Sequence, residues 1–148
     1  MLFRSARAML QASIDDGSAL KKLAEFVEAQ GGDSAAVYDT TLLPEAPIKY
    51  EALSSCSGYV KSMQADGIGL VSLHLGGGRV TKESVIDLGV GLVLHKKTGD
   101  YVSEGESLAT IHASSMEKAE KAAEMLRKCY EFSSEKGEDS PFIKGIVR

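Results

Sequence analysis

The run Leu75-Gly76-Gly77-Gly78-Arg79, followed by Lys82, is where residue types and spacing first offer chemistry in this 148-residue chain. Closely spaced backbone amides beside a guanidinium suit a phosphate, because amide hydrogens and a planar cation both answer oxyanion charge. The run is not a P-loop, which needs Gly-Lys-Ser/Thr after a four-residue spacer. It is not the dinucleotide fingerprint either, since Thr81 stands where the third glycine belongs. The plainer reading is a helix C-cap running into a sharp turn, and a mobile loop serving a neighbouring active site is its rival. His74, His95 and His112 have no carboxylate at a spacing that would orient an imidazole, so neither a triad nor a metal site is expected among them. Lys82, Glu83 and Asp87 fit a solvated helix edge, although Asp87 before Gly89 can equally fix a turn through its side chain. No pair of residues makes a convincing acid, base or nucleophile.

A second motif is structural. Val90-Gly91-Leu92-Val93-Leu94 leads into Lys97-Thr98-Gly99-Asp100-Tyr101-Val102, and then Gly105-Glu106-Ser107-Leu108. The Gly-Asp-x-Val-x-x-Gly-x-x-Leu pattern suits short strands in a barrel-like sandwich. Gly91, Gly99 and Gly105 take the corners, Asp100 bonds back to turn amides, and Val102 and Leu108 point inward. Lipoyl and biotinyl carrier domains share this pattern, so it indicates geometry and not one function.

The elements that must position these residues follow from periodicity. Residues 2–30 predict two helices, the second capped by Ser18 and carrying Leu20, Leu23, Ala24 and Val27 on one face, with Gly31-Gly32 as its stop. This amphipathic pair has little within its own length to bury its stripe against. Asp39-Thr40-Thr41, Pro44 and Pro47 break both periods, which marks residues 34–47 as a linker between a helical segment, 1–33, and a domain spanning 48–148. Ile48–Met63 predicts strands joined by a turn at Ser57-Gly58, and Asp66 then caps a helix with Ile68, Val71 and Leu75 on one face. Gly91–His95 and Ser107–His112 predict further strands. Ser114 and Glu117 have capping-box spacing and open a helix with Ala119, Ala122, Ala123, Leu126 and Tyr130 along one side. Ser133–Asp139 reads as a loop, and Pro141-Phe142-Ile143 with Ile146-Val147 as a closing strand. The fold class is α+β, with short strands and flanking helices.

Bulk composition narrows the class. The net charge is −4 and no basic patch stands out, which argues against nucleic acid. No run approaches the roughly 18 apolar residues that a membrane span needs. Met1-Leu2-Phe3-Arg4 lacks the pattern of a signal peptide, and Cys56 and Cys129 lie far apart as in a reducing compartment, so a cytoplasmic location is expected.

Taken together, Leu75-Gly76-Gly77-Gly78-Arg79, Lys82, Ile86-Asp87, Val90-Gly91, Lys97-x-Gly99-Asp100 and Gly105-Glu106-x-Leu108-Ala109-x-Ile111-His112 resemble the thymidine and pyrimidine-nucleoside phosphorylase family. Upstream, Gly17-Ser18-Ala19-Leu20, Phe26 and Gln30-Gly31-Gly32-Asp33 resemble that family's passage out of its helical domain. Pro141-Phe142-Ile143 resembles its closing Pro-Leu-Ile, with Phe142 the departure. The resemblance implies a small hammerhead or barrel-sandwich-like C-terminal domain of an enzyme that converts a pyrimidine nucleoside and phosphate to the free base and a pentose 1-phosphate. It implies no cofactor, phosphate being the co-substrate. The intact enzyme is expected to be a homodimer, with the catalytic domains of the same polypeptide as this domain's partners. The family's phosphate loop and its catalytic histidine, arginine and lysine have no matching positions here. The competing expectation is a carrier module with a modified lysine, for which Lys96 and Lys97 are the nearest residues although both lack the usual flanks.

Overall fold

The structure, a computed structural model, describes residues 2–137 and 145. Two compact units divide between Pro44 and Glu45. In the first, helix α1 (Leu2–Asp15) is followed by α2 (Ser18–Ala29) and two short 3-10 turns, Ser34–Val37 and Thr40–Leu42. Gly17 joins the helices in the left-handed conformation at φ 76°, which a side chain would resist. Ser18 is therefore the first helical residue and not the cap, and its amide is satisfied from outside by Asp16 Oδ1 at 2.8 Å. The 3-10 turns are fastened in the same way: Asp33 accepts from the Ala35 amide and Asp39 from the Thr41 amide. Aspartate side chains thus supply the local structure in a stretch that lacks apolar periodicity.

Among the described residues, the second unit holds two three-stranded antiparallel sheets and two helices. One sheet has the order β1 (Ile48–Leu53), β5 (Ser107–Ala113), β3 (Gly91–Leu94). The other has the order β4 (Tyr101–Val102), β2 (Gly58–Met63), β6 (Tyr130–Ser133). The α+β class is observed; the sheets are separate and do not close into a barrel. β1 and β2, predicted as strands joined by a turn, belong to different sheets. Their connection is held by the turn between β4 and β5: the Ser54 amide donates to the Glu106 carbonyl at 2.9 Å, and the Gly105 amide to the Ser54 carbonyl at 2.9 Å. Gly58 then enters the second sheet where a Cβ would lie 2.8 Å from the Ser133 carbonyl oxygen, so the close approach of β6 requires glycine.

Helix α3 (Ala65–Leu75) begins one residue after Gln64, whose amide bonds to the Cys129 carbonyl at 2.9 Å. Asp66 lies in the first turn and is not the cap. Helix α4 (Met116–Lys128) is capped by Ser115, whose Oγ accepts from the Lys118 amide, one residue beyond the predicted Ser114. Its Ala119, Ala122, Ala123 and Leu126 are fully buried. The alternation along β5 turns Ala109, Ile111 and Ala113 inward against Ala52 of β1 and Leu92 and Leu94 of β3. Small alanines let α4 approach this face, where Val60, Val71, Leu75, Leu108 and Leu126 fill the core. Burying each of the larger side chains contributes about 1.5–3 kcal/mol. The predicted strand at Pro141–Val147 lies outside the described residues.

Candidate functional site

The glycine-rich run closes α3. Gly76 adopts φ 109°, its amide donates to the Leu73 carbonyl at 3.1 Å, and the Gly77 amide donates to the Ser72 carbonyl at 3.0 Å. These two amides are therefore committed to the last carbonyls of a helix. A helix C-terminus also carries partial negative charge, which disfavours an anion. The C-cap reading describes the local geometry. Gly77 and Gly78 cross Ser72 and Leu73 closely, since a Cβ at either would meet a side-chain atom at 2.9 Å.

Beyond the cap, residues 79–88 form a loop closed at its neck by the Asp87 amide, which donates to the Gly76 carbonyl at 3.0 Å. Asp87 Oδ1 accepts from the Gly89 amide at 3.0 Å and so fixes the turn at Leu88-Gly89. A Cβ on Gly89 would sit 3.0 Å from the Ala46 amide nitrogen, which holds the exit of the loop against the start of the second unit. Arg79 and Lys82 lie on the exposed arc together with Val80, Val85 and Leu88, and Val85 is 91% exposed. Gly91 opens β3 and is not in the turn, which falls two residues earlier.

The other turn residues form two pinned corners. Asp100 Oδ2 accepts from the Lys97 amide at 2.7 Å, Gly99 takes φ 92°, and its amide donates to the Val60 carbonyl at 2.8 Å. Gly105 takes φ 79° in the next corner, where Glu106 accepts from the Ser103 amide and pairs with Lys96 Nζ at 2.5 Å. The Lys96 contact, and then the Ser103 amide, holds the Glu106 carboxyl below the usual range. Lys96 Nζ also donates to the Tyr101 carbonyl at 2.9 Å. It is a corner brace, half-buried, and not a presented lysine at a hairpin tip.

The structure assembles one polar cluster that spacing alone did not reveal. On the open face of the first sheet, Glu51 of β1 lies opposite Thr110 of β5, and Thr110 Oγ1 donates to Glu51 Oε1 at 2.7 Å. Ser107 Oγ donates to Glu51 Oε2, and His95 Nε2 lies 2.8 Å from Thr110 Oγ1. The hydroxyls of Ser107 and then Thr110 hold the Glu51 carboxyl below its ordinary value, with smaller help from His95 and His112. Thr110 gives its single proton to Glu51, so His95 Nε2 is the donor in its contact with Thr110. Burial raises the thiol of Cys129 and the phenol of Tyr130, and Tyr130 Oη donates to the Lys96 carbonyl at 3.1 Å. His74 lies in the last turn of α3 and lines a surface pocket with Glu117, Lys118, Glu120, Lys121 and Glu124 of α4. Among the described residues, no group of three His, Cys, Asp or Glu is placed to hold a metal ion. No helix among them is long and apolar enough to cross a membrane.

Residues 59–133, half of the chain, match the family model described as the pyrimidine nucleoside phosphorylase C-terminal domain. The chain belongs to this family. A pyrimidine-nucleoside phosphorylase of Geobacillus stearothermophilus is 46% identical over 126 residues, covering 85% of this chain and 28% of that protein. Pyrimidine-nucleoside phosphorylases of Staphylococcus aureus strain bovine RF122 / ET3-1 and Staphylococcus haemolyticus are 49% and 51% identical over 108 residues, covering 73% of this chain. The chain spans between a quarter and three tenths of the length of these relatives. The matched segment runs from β2 to the end of β6 and contains the capped loop, both pinned corners and α4.

Proposed function

We propose that the chain is the C-terminal structural domain of a pyrimidine-nucleoside phosphorylase, with a scaffold and domain-closure role. Residues 1–33 serve as the end of the family's central region, 34–47 as a linker, and 48–148 as the α/β domain. In the intact enzyme, phosphate attacks the anomeric carbon of a pyrimidine nucleoside and releases base and pentose 1-phosphate, with no cofactor. The donors that stabilise the developing charge would come from the part of the polypeptide that precedes this domain, and the intact enzyme would be a cytoplasmic homodimer. What carries this reading is the exposed loop 79–88 on a closed neck, within a segment matched to that family. A fixed neck delivers an exposed arc to a neighbouring surface, and its exposed Val80, Val85 and Leu88 favour apolar contact there.

Arg79, Lys82 and the Gly76–Gly78 cap are assigned to that closing surface. Replacing Arg79 by Ala in a full-length phosphorylase carrying this domain should lower turnover or substrate affinity without lowering thermal stability. Unchanged turnover and affinity would remove the closing role. The carrier-module alternative is disfavoured by Lys96, whose ammonium is engaged with Glu106 and the Tyr101 carbonyl.

A further inference from the structure

The second unit carries an open apolar cavity to which the loop 79–88 contributes nothing. About 400 Å³ of space lies between the end of β2, the start of α3 and the corner after β3, lined by Met63, Ala65, Ile68, Leu94, Lys97 and Thr98. Met63, Ile68 and Leu94 pack against the core yet stay only half-buried, so each presents hydrocarbon to this space. Ala65 keeps it open, because a single methyl stands at the exposed first position of α3.

The rim is polar, and its backbone is held in place. Asp100 Oδ2 accepts from the Lys97 amide at 2.7 Å, and the Gly99 amide donates to the Val60 carbonyl at 2.8 Å. Tyr130 Oη donates to the Lys96 carbonyl at 3.1 Å, so the corner is fastened to both β2 and β6. The side chains at the mouth are not fastened. Lys96 commits its ammonium to Glu106 and the Tyr101 carbonyl. Among the described residues, the Lys97 ammonium and the Thr98 hydroxyl have no hydrogen-bond or ion-pair partner.

We infer that this cavity is a binding site for a small organic carboxylate with an apolar body. Small-molecule sites combine mostly apolar walls with a few polar groups at fixed points, in about 300–1,000 Å³ of space. The charged side chain lining this one is a cation, and among the described residues no carboxylate lines it. A ligand carboxylate accepts from Lys97 Nζ and the Thr98 hydroxyl, while its hydrocarbon covers Met63, Ile68 and Leu94. The flexible thioether of Met63 adjusts to the shape of that body. An ammonium head would meet Lys97 with like charge, and a neutral head would forgo the ion pair. The site is distinct from the surface assigned to Arg79 and Lys82, so it does not depend on the phosphorylase reading.

Octanoate, octan-1-ol and octylammonium, each titrated into the isotope-labelled 148-residue chain and followed by amide NMR, test the site. Octanoate should shift the amides of residues 63–68 and 94–98 at submillimolar concentration, and should bind more tightly than the other two. Lys97→Gln should weaken octanoate about threefold to fivefold, the scale of one screened ion pair, and leave octan-1-ol unchanged. Ala65→Leu fills the cavity and should abolish binding of all three there. Both positions are exposed, so neither variant disturbs the core, and unchanged amide spectra outside the site confirm that each is folded. Octan-1-ol or octylammonium binding as tightly as octanoate would overturn the carboxylate assignment. Shifts that centre on the exposed Leu20, Leu23 and Phe26 of α2, or that survive Ala65→Leu, would show general adsorption to apolar surface and overturn the site. So would the absence of any shift at millimolar octanoate.

Discussion

Glu51 shows how a single side chain acts through its neighbours. Its carboxylate accepts from Ser107 Oγ and Thr110 Oγ1, contacts that exist only because β1 and β5 pair in one register. Hydrogen bonds to the charged form lower a carboxyl's pKa, so the folded chain holds this proton less tightly than the unfolded chain does. The stabilisation is present above the unfolded value, near 4.5, and fades as pH falls through the lower folded value. Because Glu51 is half exposed, water screens it and the contribution is at most about 1 kcal/mol. Glu51→Gln keeps the shape but offers one acceptor oxygen and one donor. It should lower the melting temperature by a few degrees between pH 6 and 8, and the gap from the unmodified chain should shrink below about pH 4.5. Thermal unfolding followed across that range checks it, and a gap that widens in acid would contradict the assignment.

At the scale of elements, the alanine face of α4 governs how closely the helix meets the first sheet. Ala122 has no exposed surface, so Ala122→Leu would force the helix away from its bed or displace a neighbour. The expected loss is about 1–3 kcal/mol, read as a lower urea midpoint with an unchanged slope. A midpoint equal to that of the parent chain would mean that the packing is loose. Among the described residues, α2, α3 and α4 were legible from the 3.6-residue period of Leu20–Val27, Ile68–Leu75 and Ala119–Leu126, which is local information. Their caps were less so, because a serine or aspartate signals a helix start only to within a residue or two: Gly17, Gln64 and Ser115 hold positions assigned to Ser18, Asp66 and Ser114. Strand partnership was not legible. Alternation in Ile48–Met63 says which residues face inward, but not that β1 pairs with a strand more than fifty residues away while β2 joins the other sheet. The Glu51, Thr110 and His95 cluster was hidden for the same reason, since register alone brings it together.

For the molecule as a whole, the question is whether what is present suffices for catalysis. Phosphorolysis builds positive charge on the sugar and negative charge on the departing base, and it needs fixed donors in a site that excludes water. The cations of the loop, Arg79 and Lys82, are exposed. The amides that could have accompanied them, at Gly76 and Gly77, are bonded to the carbonyls of α3. The Glu51 cluster is an open patch on a sheet, with its carboxylate and hydroxyls already satisfied by one another. The buried thiol of Cys129 and phenol of Tyr130 are both pushed toward their neutral forms, so neither is a ready nucleophile or base near neutral pH. Enzymes typically supply at least about 10⁶-fold acceleration, and exposed, screened cations on a loop fall far short of that. The purified chain, incubated with uridine or thymidine and inorganic phosphate, should therefore release no free base above the enzyme-free background. The same mixture with the catalytic part of a relative added should begin to release it. Base release by the chain alone would show that a complete site is present, and would move the catalytic centre into the residues described here.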